Sequence, residues 1–398
     1  MDKKGKTVVF RKISNTLMES VGNVINTRNK LYYALNVSND EEAYKKILEA
    51  LTSKPEFKEE SFDLKTIELD LTCLPAIKFY EKDGGKYITS SIVIACLDEN
   101  NCNASIHRIM ILGKDKATLR IVPRHLYYIY NENLKKGKDT PIAIVIGVHP
   151  ALMIASALSP PFGVFEIGLV SKLLGKKVRI AYTPKYNLPI PCDAEVVLEG
   201  KLTSELVNEG PFVDITLTYD KIRKQPLITI DNIYVNTNPL FHIILPGGRE
   251  HQLLMGFPRE AMIWETVRRV VPKVVKVRLT PGGGGWLHAV ISIEKNVDGD
   301  AKNAILAALA AHPSLKHVVV VDSDVDPDNP LEVEWAIATR FQAHKDLVII
   351  THARGSTLDP SAEDGVTSKM GIDATKPIGD EKYNKARIPL ILHNYAEA

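Results

Sequence analysis

Short runs of β-branched and apolar residues, separated by turns, dominate the chain between about residue 65 and residue 245. One stretch with helical spacing, FGVFEIGLVSKLLG, interrupts them. Many strands at close spacing are typical of an antiparallel barrel or a layered sheet, so this part of the chain is predicted to be mainly β. Examples of the predicted strands are YITSSIVIACL (87–97), ATLRIVP (117–123), TPIAIVIGV (140–148), KVRIAYTP (177–184), AEVVLEG (194–200), VDITLTY (213–219) and PLITIDNIYV (226–235).

Helical spacing precedes this β-rich region. Residues 38–51 read SNDEEAYKKILEAL, in which Ser38 and Glu41 have the spacing of a capping box. Apolar residues recur behind them at intervals of three and four. The segment therefore predicts an amphipathic helix capped by Ser38.

A change of pattern near residue 258 predicts a second domain. FPREAMIWETVRRVVP has helical spacing, with Pro258 in the first turn and Pro272 as the stop. Beyond it, strands and helices alternate, which is typical of an α/β domain with a partly parallel sheet. The expected divisions are a β-rich region at 1–257, a linking helix at 258–272 and an α/β domain at 273–398.

Composition narrows the class of protein. The 398 residues are 45% hydrophobic and 25% charged, which is ordinary for a globular chain of two or three domains. A formal net charge of +2 gives no reason to expect nucleic acid or a membrane as a partner, and no apolar run reaches the ~18 residues of a membrane span. The first residues lack the apolar core of a signal peptide, so we expect a cytoplasmic protein. Its cysteines are expected to be reduced, although Cys96 and Cys102 are close enough to meet across a turn.

One carboxylate, Glu166, falls in a predicted helix whose corresponding face is apolar. The neighbours on that face are Leu169, Val170 and Leu173. A buried carboxylate is costly unless a cation or a hydrogen-bonding partner faces it. Asn103 and His125 add an amide oxygen and an imidazole nitrogen, and such a mixed set suits Mn²⁺ or Mg²⁺. The alternative is that His125 is a structural residue beside aromatic side chains.

Two acids, Glu209 and Asp214, flank a Gly-Pro turn in the hexapeptide EGPFVD. Such a turn is often only solvated surface, because Gly and Pro interrupt regular structure and carboxylates favour water. The alternative is a pair of carboxylates held at a fixed separation for acid–base chemistry. The residues alone leave both interpretations open.

Two other stretches match known ligand-binding motifs only in part. DSDVDPDNP carries alternating aspartates, but Pro327 and Val333 stand where a calcium loop needs Gly and Glu. TPGGGGWLH lacks the lysine and the following helix of a phosphate loop. We expect neither calcium nor a nucleotide at these places.

Taken in order along roughly residues 85–375, several segments resemble the UbiD-like decarboxylase family. NASIHR is similar to the family segment that carries an asparagine and an arginine, here Asn103 and Arg108. His125 follows a short apolar strand, Glu166 opens a helix after a Pro-rich turn, and EGPFVD resembles the acidic turn of the family. SKMGIDAT and EVEWAIATR are similar to segments near its C-terminus. The order of these segments is more specific than any one of them.

The resemblance implies a fold of mixed α+β and α/β class: a cofactor domain with a split β-barrel, a linking helix and a C-terminal α/β domain that mediates assembly. It implies prenylated FMN as the cofactor, with Mn²⁺ and K⁺ beside the cofactor phosphate. The implied residues are Asn103, His125 and Glu166 for manganese; Arg108, Arg124, His125, Ser156 and Lys369 for the cofactor; and Arg108, Glu209 and Asp214 for catalysis. Lys369 would pair with the phosphate, and Ser156 would lie near the potassium ion.

The implied activity is non-oxidative decarboxylation of an α,β-unsaturated or aromatic carboxylic acid. Loss of CO₂ leaves a carbanion-like carbon that needs the cofactor as an electron sink and then a proton. Asp214 is the expected proton donor, and Arg108 and Glu209 orient it. The compact chain resembles archaeal members of the family that convert trans-anhydromevalonate 5-phosphate to isopentenyl phosphate in the mevalonate pathway of isoprenoid biosynthesis, and this is the preferred substrate.

Two alternatives stay open at this point. One is a 4-hydroxybenzoate-type decarboxylase, and the other is a non-catalytic flavin-binding subunit, which the three catalytic residues argue against. A group that binds a substrate phosphate would separate the two enzymes, and Arg249 and His251 in PGGREH are candidates. The resemblance also implies a flavin prenyltransferase as the supplier of the cofactor and a homo-oligomer, dimer or hexamer, as the assembly.

The sequence departs from the family in the acidic turn, where Val213 replaces a glycine. A geometric difficulty also arises, because Asn103 and Arg108 are an odd number of positions apart and would face opposite sides of a regular strand. If both reach one cofactor, Asn103 lies on the turn before the strand or a bulge intervenes.

Overall fold

The computed structural model describes residues 5–13, 16 and 18–386, which divide into two units. The first unit comprises the described chain up to Met262, together with Leu279–Leu287 and Thr357–Ser361. The second unit comprises Ile263–Arg278, His288–Ser356 and the described residues from Ala362 onwards.

A small group of elements precedes the central sheet of the first unit. They are β1 (Val8–Phe10), β2 (Glu19–Gly22), α1 (Arg28–Leu35), α2 (Asp40–Thr52), β3 (Phe57–Glu59) and β4 (Lys65–Ile67). The helix predicted from residue 38 is confirmed as α2, but its cap is Asn39, whose side chain accepts a hydrogen bond from the N–H of Glu42. Asn39 and Glu42 have the same spacing as Ser38 and Glu41, so the sequence pattern could not choose between the two pairs.

The rest of the first unit contains a larger sheet and the helices around it. In chain order the elements are β5 (Tyr87–Cys96), β6 (Cys102–Ile111), β7 (Lys116–Leu119), α3 (His125–Lys135), β8 (Thr140–Ile146), α4 (Pro150–Ala157), α5 (Glu166–Leu174), β9 (Val178–Tyr182), β10 (Pro189–Pro191), β11 (Val196–Glu209), β12 (Phe212–Val213), β13 (Tyr219–Asp220), β14 (Arg223–Val235), β15 (Leu240–His242) and α6 (Arg249–Val267), which crosses into the second unit. Six of the strands close into a barrel, in the order β11–β8–β5–β6–β7–β14 and back to β11. The predicted barrel is thereby confirmed.

The barrel closes because β11 and β14 pair with each other as well as with β8 and β7. Alternating apolar residues such as Ile109, Leu198 and Ile228 are buried in a continuous core. The register between β11 and β14 shifts next to Gly200. A Cβ at Gly200 would lie 2.1 Å from the carbonyl oxygen of Thr229, so the two strands approach too closely there for any other residue.

Two predictions within this unit are wrong or incomplete. VDITLTY is not one strand, because β12 ends at Val213, a turn follows, and β13 begins at Tyr219. Within the turn, the N–H of Leu217 donates to the carbonyl of Asp214, and Leu217 has a φ of +61°. Three helices, rather than one, interrupt the barrel strands. α4 was missed because its sequence, PALMIASA, is apolar on every side and shows no periodic contrast.

The cysteines also differ from expectation. Cys96 and Cys102 form a disulfide at the end of the β5–β6 hairpin, whereas the sequence favoured reduced thiols. The two residues are cross-strand partners with Cα atoms 4.0 Å apart, so the hairpin itself brings the sulfur atoms together. Cys73 and Cys192 are free thiols.

The helix that the sequence placed at 258–272 begins earlier and ends earlier. α6 starts at Arg249 and ends at Val267, and Pro258 lies in its interior rather than in its first turn. Proline usually marks the first turn of a helix because it lacks the N–H that an interior position donates, and this is why the predicted start was too late. The residues of α6 up to Met262 belong to the first unit, and the remaining ones belong to the second.

The second unit is an α/β sheet, as predicted. Its elements are β16 (Lys273–Leu279), β17 (His288–Glu294), α7 (Asp300–Ala311), β18 (His317–Asp322), α8 (Pro330–Arg340), α9 (Ala343–Asp346), β19 (Leu347–Arg354) and β20 (Val366–Ala374). The strand order is β16–β17–β18–β20–β19, in which β17, β18 and β20 are parallel and β19 is antiparallel to β20. In neither unit does a described helix combine the length and the apolar character needed to cross a membrane.

The alternating aspartates after β18 pair with basic side chains of the same unit. The guanidinium of Arg340 donates to Asp322 and to Asp324, each at 2.8 Å. Nε of Arg278 donates to Asp328 at 2.5 Å. These carboxylates therefore serve as counter-ions of Arg278 and Arg340.

Substitution of a glycine in the sheet of the second unit tests how closely the sheet packs against α7. A Cβ on Gly371, in β20, would lie 2.2 Å from Cγ2 of Ile305 on α7. Because the core has no room for this atom, Gly371→Ala should lower the free energy of unfolding by about 1–3 kcal/mol. The control is Gly299→Ala at the start of α7, where nothing lies within 4 Å of the added atom and the change should stay within about 0.5 kcal/mol. Denaturant unfolding followed by circular dichroism measures both variants, and equal effects would contradict the packing argument.

Candidate active site

The acidic turn EGPFVD lies where β11 ends. β11 finishes at Glu209, and the peptide bond between Gly210 and Pro211 is cis. Gly210 has a φ of +95°, a conformation that a residue with a side chain adopts only under strain. Glu209 and Asp214, on either side of the turn, both face the guanidinium of Arg108 on β6.

Arg108 binds the two acids in different ways. Its Nε and Nη2 donate to the two carboxylate oxygens of Glu209 at 2.8 and 2.9 Å, which makes the pair bidentate. Its Nη1 donates to Oδ2 of Asp214 at 3.0 Å. Glu209 is fully buried, whereas 14% of the Asp214 side chain is exposed. Glu209 is thus the fixed counter-ion, and Asp214 is the carboxylate that a ligand or water can reach.

The apolar part of the turn supports this ion-pair group. The ring centroid of Phe212 lies 4.5 Å from Cζ of Arg108 and 4.5 Å from the ring centroid of Tyr87. The hydroxyl of Tyr87 donates to Glu209 at 3.3 Å, and burial, followed by the charge of Glu209, raises the pKa of this phenol. The aromatic stack and the Tyr87 bond therefore fix the plane of the guanidinium and the position of its main partner.

Sequence reasoning missed a third carboxylate, Asp220, and two further arginines. Asp220, at the end of β13, accepts hydrogen bonds from Arg108 at 3.2 Å and from Arg223 at 2.5 Å, and it pairs with Arg120 at 2.5 Å. Burial opposes ionisation of Asp220, but the three arginines together lower its pKa. Burial also lowers the pKa of Arg120, against the opposing effect of Asp220. No motif marks these residues, since only the β12–β13 hairpin brings Asp220 back to the turn.

Arg108 itself is stabilised as a cation. Burial disfavours the charged guanidinium, but Glu209, Asp214 and Asp220 outweigh this effect and raise its pKa. The guanidinium therefore stays ionised at every pH at which the protein works.

Neither alternative expected from the spacing of Asn103 and Arg108 is observed. Both residues are inside β6, and the pairing with β5 runs without a shift from Cys102 to His107, so the two side chains lie on opposite sides of the strand, as the odd spacing predicts. The register between β5 and β6 shifts between the pairs at Ile88 and at Ser91, so that two residues of β5 oppose Arg108. The side chain of Asn103 contacts Glu166, whereas that of Arg108 contacts the acidic turn.

The three predicted metal ligands come together at the start of α5. Nδ2 of Asn103 donates to Oε1 of Glu166 at 2.7 Å, and the N–H of Ala104 donates to Oε2 at 2.7 Å. Nδ1 of His125, the first residue of α3, lies 3.7 Å from Oε1 of Glu166. Glu166 is 2% exposed, and within residues 5–13, 16 and 18–386 no lysine or arginine forms an ion pair with it.

This donor set fits a divalent cation. Among the described residues, the buried carboxylate of Glu166 has no lysine or arginine beside it, and an imidazole nitrogen of His125 lies 3.7 Å away. The Asn103 amide turns its nitrogen to Glu166, and a half-turn of this group would place its oxygen there instead, which would complete a set of three donor types that Mn²⁺ accepts. Across the described chain, no three His, Cys, Asp or Glu side chains cluster as a metal site. A metal at Glu166 therefore depends on the amide oxygen of Asn103 and on donors from a bound ligand.

A row of polar contacts connects Asn103 to the ion pairs of Arg108. Oγ of Ser105 lies 3.0 Å from Oδ1 of Asn103 and 2.9 Å from Nε2 of His107, and its one proton can be donated to only one of them at a time. Nδ1 of His107 donates to the carbonyl of Arg120 at 3.0 Å, and the side chain of Arg120 reaches Asp220. Burial lowers the pKa of His107 to about 4, so the ring is neutral at neutral pH.

The remaining predicted cofactor residues lie in different places. Arg124 directly precedes α3, and its Nη1 donates to Oγ of Ser159 at 3.2 Å. Ser156, in α4, is buried, and its Oγ has no hydrogen-bond partner. Lys369 belongs to the second unit, where its Nζ donates to the carbonyl of Pro313 at 2.6 Å and burial lowers its pKa. The pairing of Lys369 with a cofactor phosphate stays a prediction.

The two candidates for binding a substrate phosphate differ in their surroundings. Arg249 is exposed at the first position of α6. His251 accepts a hydrogen bond from the N–H of Gly247 at 3.1 Å through Nδ1. Burial lowers the pKa of His251, and the charges of Asp214 and Arg108 act on it in opposite directions. His251 is therefore neutral at neutral pH and close to the acidic turn.

Comparison with known proteins gives consistent matches over both units. Residues 49–249 match the UbiD family model, described as the 3-octaprenyl-4-hydroxybenzoate carboxy-lyase Rift-related domain, and residues 252–374 match the corresponding C-terminal domain. A relative from Aeropyrum pernix, named anhydromevalonate phosphate decarboxylase, is 54% identical over 92% of this chain and 84% of its own. A relative of the same name from Methanocaldococcus jannaschii is 48% identical over 78% of this chain and 74% of its own.

Solved structures agree with these matches. The UbiD-class enzyme HmfF from Pelotomaculum thermopropionicum, in complex with FMN, has a TM-score of 0.94 at 36% identity and covers 98% of this chain and 91% of its own. An evolved dimeric form of HmfF in complex with prFMN has a TM-score of 0.89 at 33% identity and covers 98% of this chain and 90% of its own. Fold, acidic turn and family matches lead to one conclusion, which is that the chain belongs to the UbiD family of carboxy-lyases.

Proposed function

We propose that the protein is a non-oxidative decarboxylase that uses prenylated FMN and converts trans-anhydromevalonate 5-phosphate to isopentenyl phosphate and CO₂. The observation that carries this proposal is the buried guanidinium of Arg108, bound bidentately by Glu209 and singly by the more exposed Asp214. Support for the substrate comes from the names of the archaeal relatives, and support for the flavin comes from the FMN and prFMN complexes of HmfF.

When bound, prenylated FMN supplies the electron sink for the electron pair that departing CO₂ leaves on the substrate carbon. Asp214 then gives its carboxyl proton to that carbon, so that a C–H bond replaces the broken C–C bond. Both oxygens of this carboxyl group accept hydrogen bonds, Oδ2 from Nη1 of Arg108 at 3.0 Å and Oδ1 from the N–H of Ile215 at 2.7 Å, so the assignment is to the group as a whole and not to one oxygen. Since the Asp214 side chain is partly exposed, water restores the proton after each turnover.

The neighbours of Asp214 position it. Glu209 and Asp220 together accept bonds from Nε and Nη2 of Arg108, which leaves Nη1 for Asp214. The donor is therefore oriented by one fixed bond on each oxygen, from Arg108 and from the backbone of Ile215. Orientation of this kind lowers the barrier because little motion is needed before proton transfer.

The metal and the flavin would be held beside Asn103 and Glu166, at the opposite end of the row of polar contacts from Arg108. Asn103, His125 and Glu166 would bind Mn²⁺, which neutralises the phosphate of the flavin. The partnerless Oγ of Ser156 would face K⁺. Two observations on the described residues support this: Glu166 has no lysine or arginine in an ion pair with it, and the buried hydroxyl of Ser156 has no hydrogen-bond partner.

The proposal extends to two partners. A flavin prenyltransferase would supply the cofactor, because prenylated FMN is not made by a decarboxylase. The working assembly would be a homo-oligomer, for which the evolved dimeric form of HmfF offers support by similarity.

Replacement of Asp214 by asparagine tests the proton donor. Asparagine preserves the shape of the side chain but has no carboxyl proton, so turnover should fall by about 10²–10⁴-fold while flavin stays bound. The measurement is turnover together with deuterium incorporation from D₂O at the carbon that loses CO₂. Offering 4-hydroxybenzoate in parallel tests the substrate, since turnover of that acid alone would place the enzyme with the aromatic acid decarboxylases.

Glu209→Gln is the matched variant for this experiment. It breaks the bidentate contact and should impair the placement of Arg108, so we expect it to lose activity as well. If Asp214→Asn turns over and incorporates deuterium like the parent while Glu209→Gln is inactive, then the donor is Glu209 and our assignment is wrong.

Replacement of Glu166 by glutamine tests the metal site. The variant lacks the negative charge that a divalent cation needs, so manganese and flavin contents should fall together. Elemental analysis and flavin absorbance of the purified protein measure both. The control is Glu199→Gln, which alters an equally buried carboxylate that accepts hydrogen bonds from Tyr186 and Tyr234 and should leave manganese bound. Parental manganese content in Glu166→Gln would remove this residue from the site.

Substitution of a glycine that packs against the acidic turn tests how strongly turnover depends on the position of the turn. The N–H of Gly84 donates to the carbonyl of Pro211 at 2.8 Å, and a Cβ on Gly84 would lie 2.2 Å from the carbonyl oxygen of Gly210. Gly84→Ala should therefore displace the turn and lower kcat on the order of 10²-fold. Gly113→Ala, in the β6–β7 turn with nothing within 4 Å of the added atom, should leave kcat unchanged. Steady-state kinetics at matched folded fractions decides, and parental kcat in Gly84→Ala would show that the turn tolerates the shift.

A further inference from the structure

Two arginines of the first unit share one hydrogen-bond acceptor and have no acid beside them. Nη1 of Arg124 donates to Oγ of Ser159 at 3.2 Å, and Nη2 of Arg259 donates to the same oxygen at 3.3 Å. Nη2 of Arg259 also donates to the carbonyl of Ala157 at 3.3 Å. Apart from the residues that the structure leaves undescribed, no carboxylate forms an ion pair with either guanidinium.

Arg28 shows how the same region neutralises an arginine. Its Nη2 donates to both oxygens of Glu260 at 2.7 and 2.8 Å, and its Nη1 donates to Asp40 at 2.8 Å. Burial opposes the charge of Arg28, but these two acids raise its pKa. Glu260 is the residue after Arg259, yet burial and the charge of Arg124 lower the pKa of Arg259 to about 10. Two like charges are thus held together without the counter-ion that Arg28 has.

The hydrogen-bond acceptor that the two arginines share, Ser159, lies on the segment that connects two proposed cofactor residues. The loop 158–165 contains Ser159 and joins α4 to α5. α4 carries Ser156, whose buried Oγ has no partner, and α5 begins with Glu166. Arg124 and Ser159 are exposed, so a ligand has access to both.

We propose that Arg124, Ser159 and Arg259 form the binding site of a phosphate monoester. Two guanidinium groups supply two positive charges and planar N–H forks, which match the charge and the oxygen spacing of a phosphate dianion. The hydroxyl of Ser159 can donate to a third oxygen once the ligand replaces it as acceptor. A carboxylate would balance only half of the charge. The phosphate belongs either to the substrate, in which case the inference rests on the proposed function, or to the flavin.

The first test uses inorganic phosphate as the probe and the holoenzyme as the protein. If the site serves the substrate, phosphate should raise the melting temperature of the parent holoenzyme, because it binds the folded state, and this shift should vanish in Arg259→Met and in Arg124→Met/Arg259→Met. Without phosphate, Arg259→Met should melt no lower than the parent, since one of two unpaired like charges is gone. Arg259→Lys should retain a reduced shift, because lysine keeps the charge but loses the fork.

Arg268→Met is the matched control. The guanidinium of Arg268 stacks 4.5 Å from the ring of Trp264, as that of Arg259 lies 6.0 Å from the ring of Trp286, but Arg268 also pairs with Glu265 at 3.1 Å. This variant loses an arginine that already has its acid. Its phosphate shift should equal that of the parent.

Two further measurements identify the source of the phosphate. A substrate phosphate predicts that Arg259→Met raises KM for trans-anhydromevalonate 5-phosphate on the order of 10²-fold, with KM for the unphosphorylated acid within about twofold and flavin content unchanged. A flavin phosphate predicts instead that flavin absorbance per protein falls in Arg259→Met and in the double variant, and that the flavin-loaded parent shows little phosphate shift.

The outcomes separate this site from the proposed function. If the enzyme turns over neither acid, the proposed function fails, while the phosphate shift and the flavin content still report on the arginine pair. If the parent, Arg259→Met and the double variant have the same phosphate response, the same flavin content and the same KM, the arginine pair is not a phosphate site.

Discussion

The rest of the site depends on the ion pairs that the guanidinium of Arg108 forms in the interior of the protein. Three carboxylates bind this guanidinium, and they come from the end of β11, from the acidic turn and from β13. A buried charge destabilises the fold unless its partners are in place, so closure of the barrel and formation of the turn are required together. The pairing of β11 with β14 sets the end of β11 opposite β6, and this fixes Glu209 against Arg108. The geometry of the site is therefore a consequence of how the barrel closes.

Charge is distributed in three different ways around this centre. The group at Arg108 contains three arginines and three carboxylates and is balanced without any ligand. Glu166 is a buried acid with no lysine or arginine in an ion pair, and the pair formed by Arg124 and Arg259 is cationic with no acid, both within the described chain. An excess of negative charge favours a divalent cation and an excess of positive charge favours a phosphate. A metal with a phosphorylated ligand would satisfy both at once, whereas the balanced group is free to do proton chemistry.

Much of the fold was predictable because β-branched runs and apolar periodicity reflect burial directly. The barrel strands and the α/β order of the second unit follow from such patterns, and the family resemblance marked Arg108, Glu209 and Asp214 in advance. The failures have physical causes. α4 is apolar all round, so no periodicity marks it, and the cap of α2 moved by one residue because two pairs have equal spacing. Asp220 was not predicted because two of its three arginine partners, Arg108 and Arg120, are about a hundred residues away in the sequence.

In the proposed mechanism the acidic turn acts only at the carboxylate end of the substrate, so it would account for the decarboxylation but not for the choice of substrate. Recognition of the other end must come from groups outside it. His251 is neutral at neutral pH, so it can offer a phosphate a hydrogen bond but no charge. Arg259, in contrast, is charged, lies two helical turns further along α6 and shares its acceptor with a second arginine. Because a dianion is stabilised chiefly by charge in a partly buried setting, we expect the proposed arginine pair to bind a phosphate more strongly than His251 would.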